Sequence, residues 1–159
     1  MENFFLALSG DLGLTVAYEN LPQAPTPEPA ADTSLSDLQP QWQPVFQDLE
    51  MQFAAALPAI GWGARRIETV RSLERQQWLY GIGRQYQAPG RTGIVTNAST
   101  PSGPHVEGRA VDYLYVNAGG GDPDALTAAL KTIAASMPNL TWGGNFLTLS
   151  DPPHWEGNA

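Results

Sequence analysis

Cysteine is absent from this chain of 159 residues, which also has only two histidines and a single lysine, Lys131. Without cysteine, the chain can form neither a disulfide nor a thiolate nucleophile, and cysteine is excluded as a zinc ligand. Long apolar runs are absent too, whereas a transmembrane helix requires about 20 consecutive apolar residues. We therefore expect no membrane insertion.

Positive charge is absent from the first 64 residues, because every lysine and arginine lies at or beyond Arg65. The net charge of −8 therefore belongs to the N-terminal part, and acids and bases balance after Trp62. Nucleic-acid binding and electrostatic attachment to anionic membranes both require clustered Lys and Arg side chains. We expect no nucleic-acid partner.

The first 40 residues differ in composition from the rest. Residues 1–21 are mildly apolar, and we predict a short helix there followed by a strand over 14–18. Residues 22–40 are rich in Pro, Ala, Ser, Thr and Asp, a composition typical of extended chain. We interpret 1–21 as a short N-terminal segment of unknown role, 22–40 as an acidic Pro/Ala-rich linker, and 41–159 as the functional domain.

Helical and strand-like patterns alternate after residue 41. Apolar residues recur at helical spacing over 42–57, and Pro58 and Gly61 end that helix. Further helices are predicted over 73–82 and from 122 onwards, with strands over 66–70, 110–116, 140–142 and at 155. This order predicts an α+β fold in which helices pack on a small antiparallel sheet.

Both histidines lie in short runs that also contain carboxylates. Residues 102–112 read SGPHVEGRAVD and contain His105 and Asp112, and residues 151–156 read DPPHWE and contain Asp151 and His154. Either run alone is more typical of a structural histidine or an ordinary turn. Together they contain a common ligand set of catalytic zinc, which has three protein ligands and leaves a fourth position for water.

The position of Asp112 in a predicted strand strengthens this interpretation. A carboxylate between apolar neighbours is costly to bury without a partner, and a cation removes that cost. We therefore predict that His105, Asp112 and His154 bind Zn²⁺. Asp151 would then be the base that takes the proton of the attacking water.

These residues resemble the zinc D-Ala-D-Ala peptidase family, which includes D,D-carboxypeptidases, D-alanyl-D-alanine dipeptidases and the L-alanyl-D-glutamate endopeptidases of phage endolysins. The family pattern is Ser-x-His, then x-x-Gly-x-Ala-x-Asp, and later an acidic residue, two spacers and His. The matching positions are His105, Gly108, Ala110, Asp112, Asp151 and His154. Segments 69–80, 90–98 and 142–146 resemble further parts of the family, so the resemblance runs from about residue 41 to 156.

Two positions distinguish this chain within the family. The serine that should stand two residues before the first histidine is replaced by Gly103, with Ser102 one place earlier. Asp151 stands at the base position, where the phage endopeptidases have Asp and the dipeptidases have Glu. The resemblance therefore implies a zinc peptidase domain over 41–159, with a hedgehog/D-Ala-D-Ala-peptidase-like fold and the zinc in a cleft. The implied activity is that of an L-alanyl-D-glutamate endopeptidase cleaving the peptidoglycan stem peptide.

The resemblance also implies roles for residues outside the ligand set. Arg71 matches the family arginine that steadies substrate or developing oxyanion charge, although a structural salt bridge is the alternative. We further predict substrate contacts for Ser102, Gln76 and Trp155. For Gln76, an amide on a helix surface is equally consistent with the pattern.

Other functions fit the same motifs. A D,D-carboxypeptidase or dipeptidase would need a pocket for a free terminal carboxylate. A zinc-stabilised binding module would need no base, which makes Asp151 an argument against it. A third alternative is a phage structural protein that carries the peptidase-like module and is tethered to the virion through the N-terminal segment.

The N-terminus gives an expectation about location. The apolar residues from Phe4 to Leu8 follow Glu2 rather than a positive charge, which makes a poor secretory signal. We expect synthesis in the cytoplasm without a signal peptide. The protein would then act on the cell wall in the periplasm as a released bacteriophage endolysin or as part of a virion.

Overall fold

A computed structural model describes residues 20–91, 93–99, 102–148 and 150–158. These residues form two compact units, one from 20–29 with 73–99 and the other from 30–72 with 102–158. The helix and the strand predicted within the first 19 residues lie outside the described part. Within the described ranges, no helix is both long and apolar enough to cross a membrane.

The second unit contains an antiparallel four-stranded sheet. Its strands are β1 (Trp62–Glu68), β2 (Ala110–Asn117), β3 (Leu140–Trp142) and β4 (His154–Gly157), in the order β1-β2-β4-β3. The described residues also form three α-helices, α1 (Gln43–Ala56), α2 (Leu73–Gly81) and α3 (Pro123–Ser136). The predicted α+β class with a small antiparallel sheet is confirmed.

Helices α1 and α3 share a core with one face of this sheet. Both helices have proline in their first turn, where its missing N–H removes no helical hydrogen bond. The Asp122 side chain also caps α3 by accepting a hydrogen bond from the Asp124 N–H at 3.1 Å. The core contains Phe46, Leu49 and Phe53 of α1, Leu126, Leu130 and Ile133 of α3, and Val111, Tyr113, Trp142 and Trp155 of the sheet. The opposite face of the sheet carries Asp112 together with the exposed apolar side chains Leu114 and Val116.

A strand is predicted over 66–70. The observed β1 begins four residues before the predicted start and ends two residues before the predicted end. Its Gly, Ala and Arg residues have little intrinsic strand preference, so pairing with β2 imposes the strand. The register shifts between Arg66 and Glu68, which makes Ile67 the extra residue of a β-bulge. As a result, Glu68 rather than Ile67 stands opposite Asp112.

The segment predicted as a linker packs closely over part of its length. Leu35 and Leu38 are buried in the core that contains α1. The Thr69 N–H donates to the Asp32 carbonyl at 2.8 Å, and the Gln39 N–H donates to the Gly108 carbonyl at 2.9 Å. Residues 32–39 of the predicted linker therefore pack within the second unit, because two apolar side chains outweigh the polar composition. The domain boundaries at 21 and 40 stay predictions.

The first unit is organised around α2. The Trp78 indole N–H donates to the Pro25 carbonyl at 2.8 Å, and the Arg75 guanidinium donates to the Glu28 carboxylate at 2.8 Å. Residues 22–29 are thus held against the helix by side chains that it presents. The Gln76 amide of the same helix donates to the Ala98 carbonyl at 2.6 Å and fixes the long loop after residue 88.

Leu38 provides a test of the packing of the Pro-rich segment. It is 2% exposed, so Leu38→Ala in the full chain should leave a cavity and lower the free energy of unfolding by about 2–5 kcal/mol. Leu147 is 102% exposed, and Leu147→Ala should change the free energy of unfolding by less than about 0.5 kcal/mol. Urea denaturation measures both variants, and equal stabilities would show that the segment is not part of the core.

Candidate metal centre

The sheet pairing brings two of the predicted zinc ligands together. Asp112 of β2 and His154 of β4 are direct partners across the two strands. Their apolar neighbours Val111, Tyr113 and Trp155 point into the core, so Asp112 and His154 share the opposite face. Two paired strands, each with alternating burial, therefore position one of these side chains each.

His105 reaches the same point from the turn that precedes β2. The His105 carbonyl accepts hydrogen bonds from the N–H groups of Arg71 and Gly108, each at 3.1 Å. Gly108 has a φ of 69°, a left-handed conformation that favours glycine, which explains the family-like glycine at this position. The turn is thus fixed on both sides of the imidazole ring.

The three side chains place one acceptor atom each at the corners of a small triangle. His105 Nε2 lies 3.0 Å from Asp112 Oδ1 and 3.2 Å from His154 Nδ1, and the third side, from His154 Nδ1 to Asp112 Oδ1, is 2.9 Å. His105 and His154 are buried, and Asp112 is partly buried. Within the described residues, this is the group whose ligand atoms could hold a metal ion.

Hydrogen bonds on the far side of each ring determine which nitrogen carries a hydrogen. His105 Nδ1 lies 2.7 Å from the Thr69 carbonyl, which can only accept, so this nitrogen donates. His154 Nε2 likewise donates to the Glu156 carboxylate at 3.1 Å. In their neutral forms, both rings therefore turn a lone pair towards Asp112, as is usual for metal-binding histidines.

This donor set fits zinc. Four ligands at about 2.0–2.1 Å from a tetrahedral zinc ion lie about 3.3 Å apart, close to the sides of the observed triangle. Two imidazole nitrogens and one carboxylate oxygen are ligands that zinc accepts, and two of the three are supported by outer hydrogen bonds. Three converging acceptors also repel one another unless a cation or a proton lies between them.

The pKa values of Asp112 and His154 reflect the close approach of these side chains. Burial would raise the pKa of Asp112, but the charge of His105 and hydrogen bonds from both histidines, in the protonated forms of the two rings, outweigh burial and hold that pKa well below its usual range. Burial lowers the pKa of His154, but hydrogen bonds to Asp112 and Glu156 outweigh it and raise that pKa to about 9. His154 therefore takes up a proton readily, and a metal ion must displace it.

Arg71 lies beside the ligand carboxylate. Its Nη2 is 3.5 Å from Asp112 Oδ2, the oxygen that does not face the histidines, and it is also paired with Glu68. The guanidinium is buried, so this arrangement places a fixed positive charge at the edge of the centre. The structure thus brings Arg71 to the site, and its predicted action on substrate stays a prediction.

Asp151 is anchored by its backbone. The Asp151 N–H donates to the Gly143 carbonyl at 2.9 Å, and the His154 N–H donates to the Asp151 carbonyl at 3.0 Å. A Cβ on Gly143 would lie 2.2 Å from the Asp151 carbonyl oxygen, so only glycine fits there. Partial desolvation and the nearby Asp112 charge raise the pKa of Asp151, against the opposing charges of His154, His105 and Arg71. Its carboxylate therefore interacts electrostatically with the whole centre.

The residues predicted to bind substrate behave differently from one another. Trp155 is 0% exposed in the core, because the residue after His154 in a strand must face the other way. This burial corrects the prediction, since the side chain cannot touch a substrate. Gln76 is buried, and its amide donates a hydrogen bond to the Ala98 carbonyl. It therefore does not lie on the helix surface, which was the alternative for this residue. Ser102 is exposed, and its role stays a prediction.

Three further residues support the candidate ligands, and only one of them, Glu156, had a signal in the sequence. Thr69 acts through its backbone carbonyl, which carries no side-chain signal in the sequence. Glu156 was visible as an acid two residues after His154, a spacing that returns a strand residue to the same face. Glu68 depends on the β-bulge, which the sequence pattern does not predict.

The raised pKa of His154 predicts pH-dependent zinc binding. Below a pKa of about 9 the ring is protonated, so zinc binding at neutral pH should release a proton from His154 and strengthen about tenfold per pH unit. Calorimetric titration in two buffers of different ionisation enthalpy measures this release between about pH 6 and 8. Glu156→Gln should lower the pKa of His154 and so reduce this release most at the upper end of the range, because one hydrogen bond that raises the pKa is weakened. Zinc affinity that is flat over this range would contradict the assignment.

Comparison with known proteins gives a limited likeness. No family model and no curated protein matches the chain. Among solved structures, the chain is similar to the L-Ala D-Glu endopeptidase ChiX of Serratia marcescens, with 24% sequence identity over 78% of this chain and 83% of that one, and a TM-score of 0.49. A likeness at this level assigns no activity, which has to come from the side chains.

Proposed function

We propose that this protein is a zinc-dependent peptidase that cleaves the stem peptide of peptidoglycan, as an L-alanyl-D-glutamate endopeptidase. The main support is the convergence of His105 Nε2, Asp112 Oδ1 and His154 Nδ1 within 3.2 Å of one another. The substrate class rests on the resemblance of the two histidine motifs to the zinc D-Ala-D-Ala peptidases. Zinc binding and the substrate class can be tested separately.

The ligand set would be His105, Asp112 and His154, which leaves one position of a tetrahedral zinc site for water or substrate. When bound there, zinc supplies a Lewis acid that polarises a peptide carbonyl and makes water more acidic. Thr69 and Glu156 keep the two imidazole rings in the orientation that this set requires. The protein thus holds the three ligand atoms close together in advance of metal binding.

Asp151 is the proposed general base. It is exposed to solvent, and it interacts with the charges of Asp112 and both histidines without being needed as a ligand. Its carboxylate would take a proton from the attacking water and deliver it to the nitrogen of the leaving amine. Because its pKa is raised, the carboxylate is a stronger base than an ordinary aspartate, and activity should rise with pH as this group loses its proton.

Arg71 would stabilise negative charge during the reaction. Its guanidinium is held next to Asp112, where a substrate carbonyl would approach the same centre. A fixed cation of this kind stabilises charge that develops on a carbonyl oxygen in the transition state. The proposed site of action is the cell wall, and attachment to a virion through residues 1–21 stays a prediction.

Asp151→Asn separates catalysis from metal binding. This variant should retain its zinc content and fold, while hydrolysis of purified peptidoglycan falls by a factor on the order of 10² to 10⁴, as expected when a general base is removed. Asp48→Asn is the matched control, since Asp48 is exposed on α1 and should be dispensable. Native-rate hydrolysis by Asp151→Asn would show that this mechanism is wrong.

Mass analysis of the same digests identifies the bond. An L-alanyl-D-glutamate endopeptidase leaves L-alanine on the glycan and frees a peptide that begins with D-glutamate. A D,D-carboxypeptidase would instead release single D-alanine residues. Peptidoglycan that is unchanged after digestion by the zinc-loaded wild-type protein would favour the binding-module alternative.

A further inference from the structure

The β-bulge in β1 places a buried acid beside the candidate metal centre. Arg66 pairs with Tyr113 on the core face, and regular pairing would next place Ile67 opposite Asp112. The extra residue instead puts Glu68 opposite Asp112, on the face that carries the ligands. Glu68 is 5% exposed, and a carboxylate buried to this extent requires a charged or hydrogen-bonding partner.

Arg71 provides that partner and connects Glu68 to the ligand set. Arg71 Nη2 is hydrogen-bonded to Glu68 Oε2 and lies 3.5 Å from Asp112 Oδ2. Asp112 Oδ1 faces the two histidines. The side chains therefore form a chain in which Glu68 acts on Arg71, Arg71 acts on the outer oxygen of Asp112, and the inner oxygen of Asp112 remains available to a cation.

A guanidinium at this position creates an electrostatic problem. It orients Asp112, but its positive charge opposes the binding of a divalent cation to the same carboxylate, and low local dielectric strengthens that opposition. A buried negative charge on the other side of Arg71 offsets part of it. Glu68 is placed to do this, because its carboxylate is buried and in contact with the same nitrogen atom.

We propose that Glu68 is a positioning residue of the metal centre, whose charge holds Arg71 against Asp112 and offsets the guanidinium so that a divalent cation can bind. The inference rests on the metal centre of the proposed function, but not on the substrate. It assigns Glu68 an effect on metal affinity that an ordinary structural salt bridge does not have.

The same strand offers a matched salt bridge. Arg66 of β1 is paired with Glu50 of α1 at 2.8 Å, on the face of the sheet that carries the core. Glu50 also accepts a hydrogen bond from Tyr113 at 3.1 Å, so its loss should lower stability. Glu50→Gln thus breaks a Glu–Arg pair on the same strand without touching a ligand.

The experiment measures zinc affinity by chelator competition and unfolding free energy by denaturation, both on the full chain. Glu68→Gln should weaken zinc binding by about 10-fold, the lower end of the range seen when a hydrogen-bonding partner of a ligand is lost, because Glu68 acts on Asp112 through Arg71. Glu50→Gln should lower stability and leave zinc affinity unchanged. The absorption spectrum of the cobalt-loaded protein, which reports ligand geometry, should change in Glu68→Gln and not in Glu50→Gln.

A double variant tests whether Glu68 acts through Arg71. Once Arg71→Met removes the guanidinium, adding Glu68→Gln should cost less zinc affinity than it costs in the wild type, because Glu68 then has no guanidinium to hold against Asp112. Where Glu68→Gln alone does not fold, Arg71→Met is compared with the double variant, and a further loss of about tenfold in the double variant contradicts the inference. Equal losses of affinity from Glu68→Gln with and without Arg71, or equal zinc affinities of Glu68→Gln and the wild type, would overturn the inference.

The outcomes also separate this inference from the proposed function. A wild-type protein that binds zinc but cleaves no peptidoglycan disproves the proposed activity and leaves the role of Glu68 to be decided by the affinities. A full chain that binds no zinc disproves the metal centre and the inference together. Normal activity combined with unchanged affinity in Glu68→Gln disproves the inference alone.

Discussion

The close approach of three acceptor atoms at the candidate metal centre is the constraint on which this structure depends. His105 Nε2, Asp112 Oδ1 and His154 Nδ1 lie 2.9–3.2 Å apart, at distances where uncompensated acceptors repel. A proton on His154 relieves part of that repulsion, and a divalent cation relieves all of it. A buried cluster of uncompensated acceptors destabilises a fold, so this arrangement supports the proposed metal centre.

The rest of the second unit keeps these atoms in place. Pairing of β2 with β4 fixes Asp112 against His154, and the core packed by α1 and α3 on the opposite face prevents either strand from slipping. The turn around His105 is tied to Gln39 through the Gly108 carbonyl, so part of the Pro-rich segment supports it. The β-bulge in β1 then adds a buried acid to the same face. These local backbone features thus bring the candidate ligands and Glu68 together on one face of the sheet.

The sequence predicted the features that depend on the local pattern of residues, but not the features that depend on pairing between strands. The two histidine motifs identified a triad that the structure brings together, because strand alternation is a local property. The same alternation, applied to Trp155, shows that it faces the core, which corrects its predicted contact with substrate. Glu68 could not be predicted, since the bulge arises only when β1 meets β2. Leu38 was concealed by a polar, Pro-rich composition, and its burial required knowledge of the core that it joins.

X-ray absorption spectroscopy of the zinc-loaded full chain tests the central claim most directly. The arrangement of His105, Asp112 and His154 predicts one zinc ion with two imidazole nitrogens and one carboxylate oxygen at about 2.0–2.1 Å, and a fourth light atom. His154→Ala should lose one imidazole from the coordination shell or lose the zinc. A shell of oxygen atoms alone, or an imidazole count that His154→Ala does not change, would contradict the account.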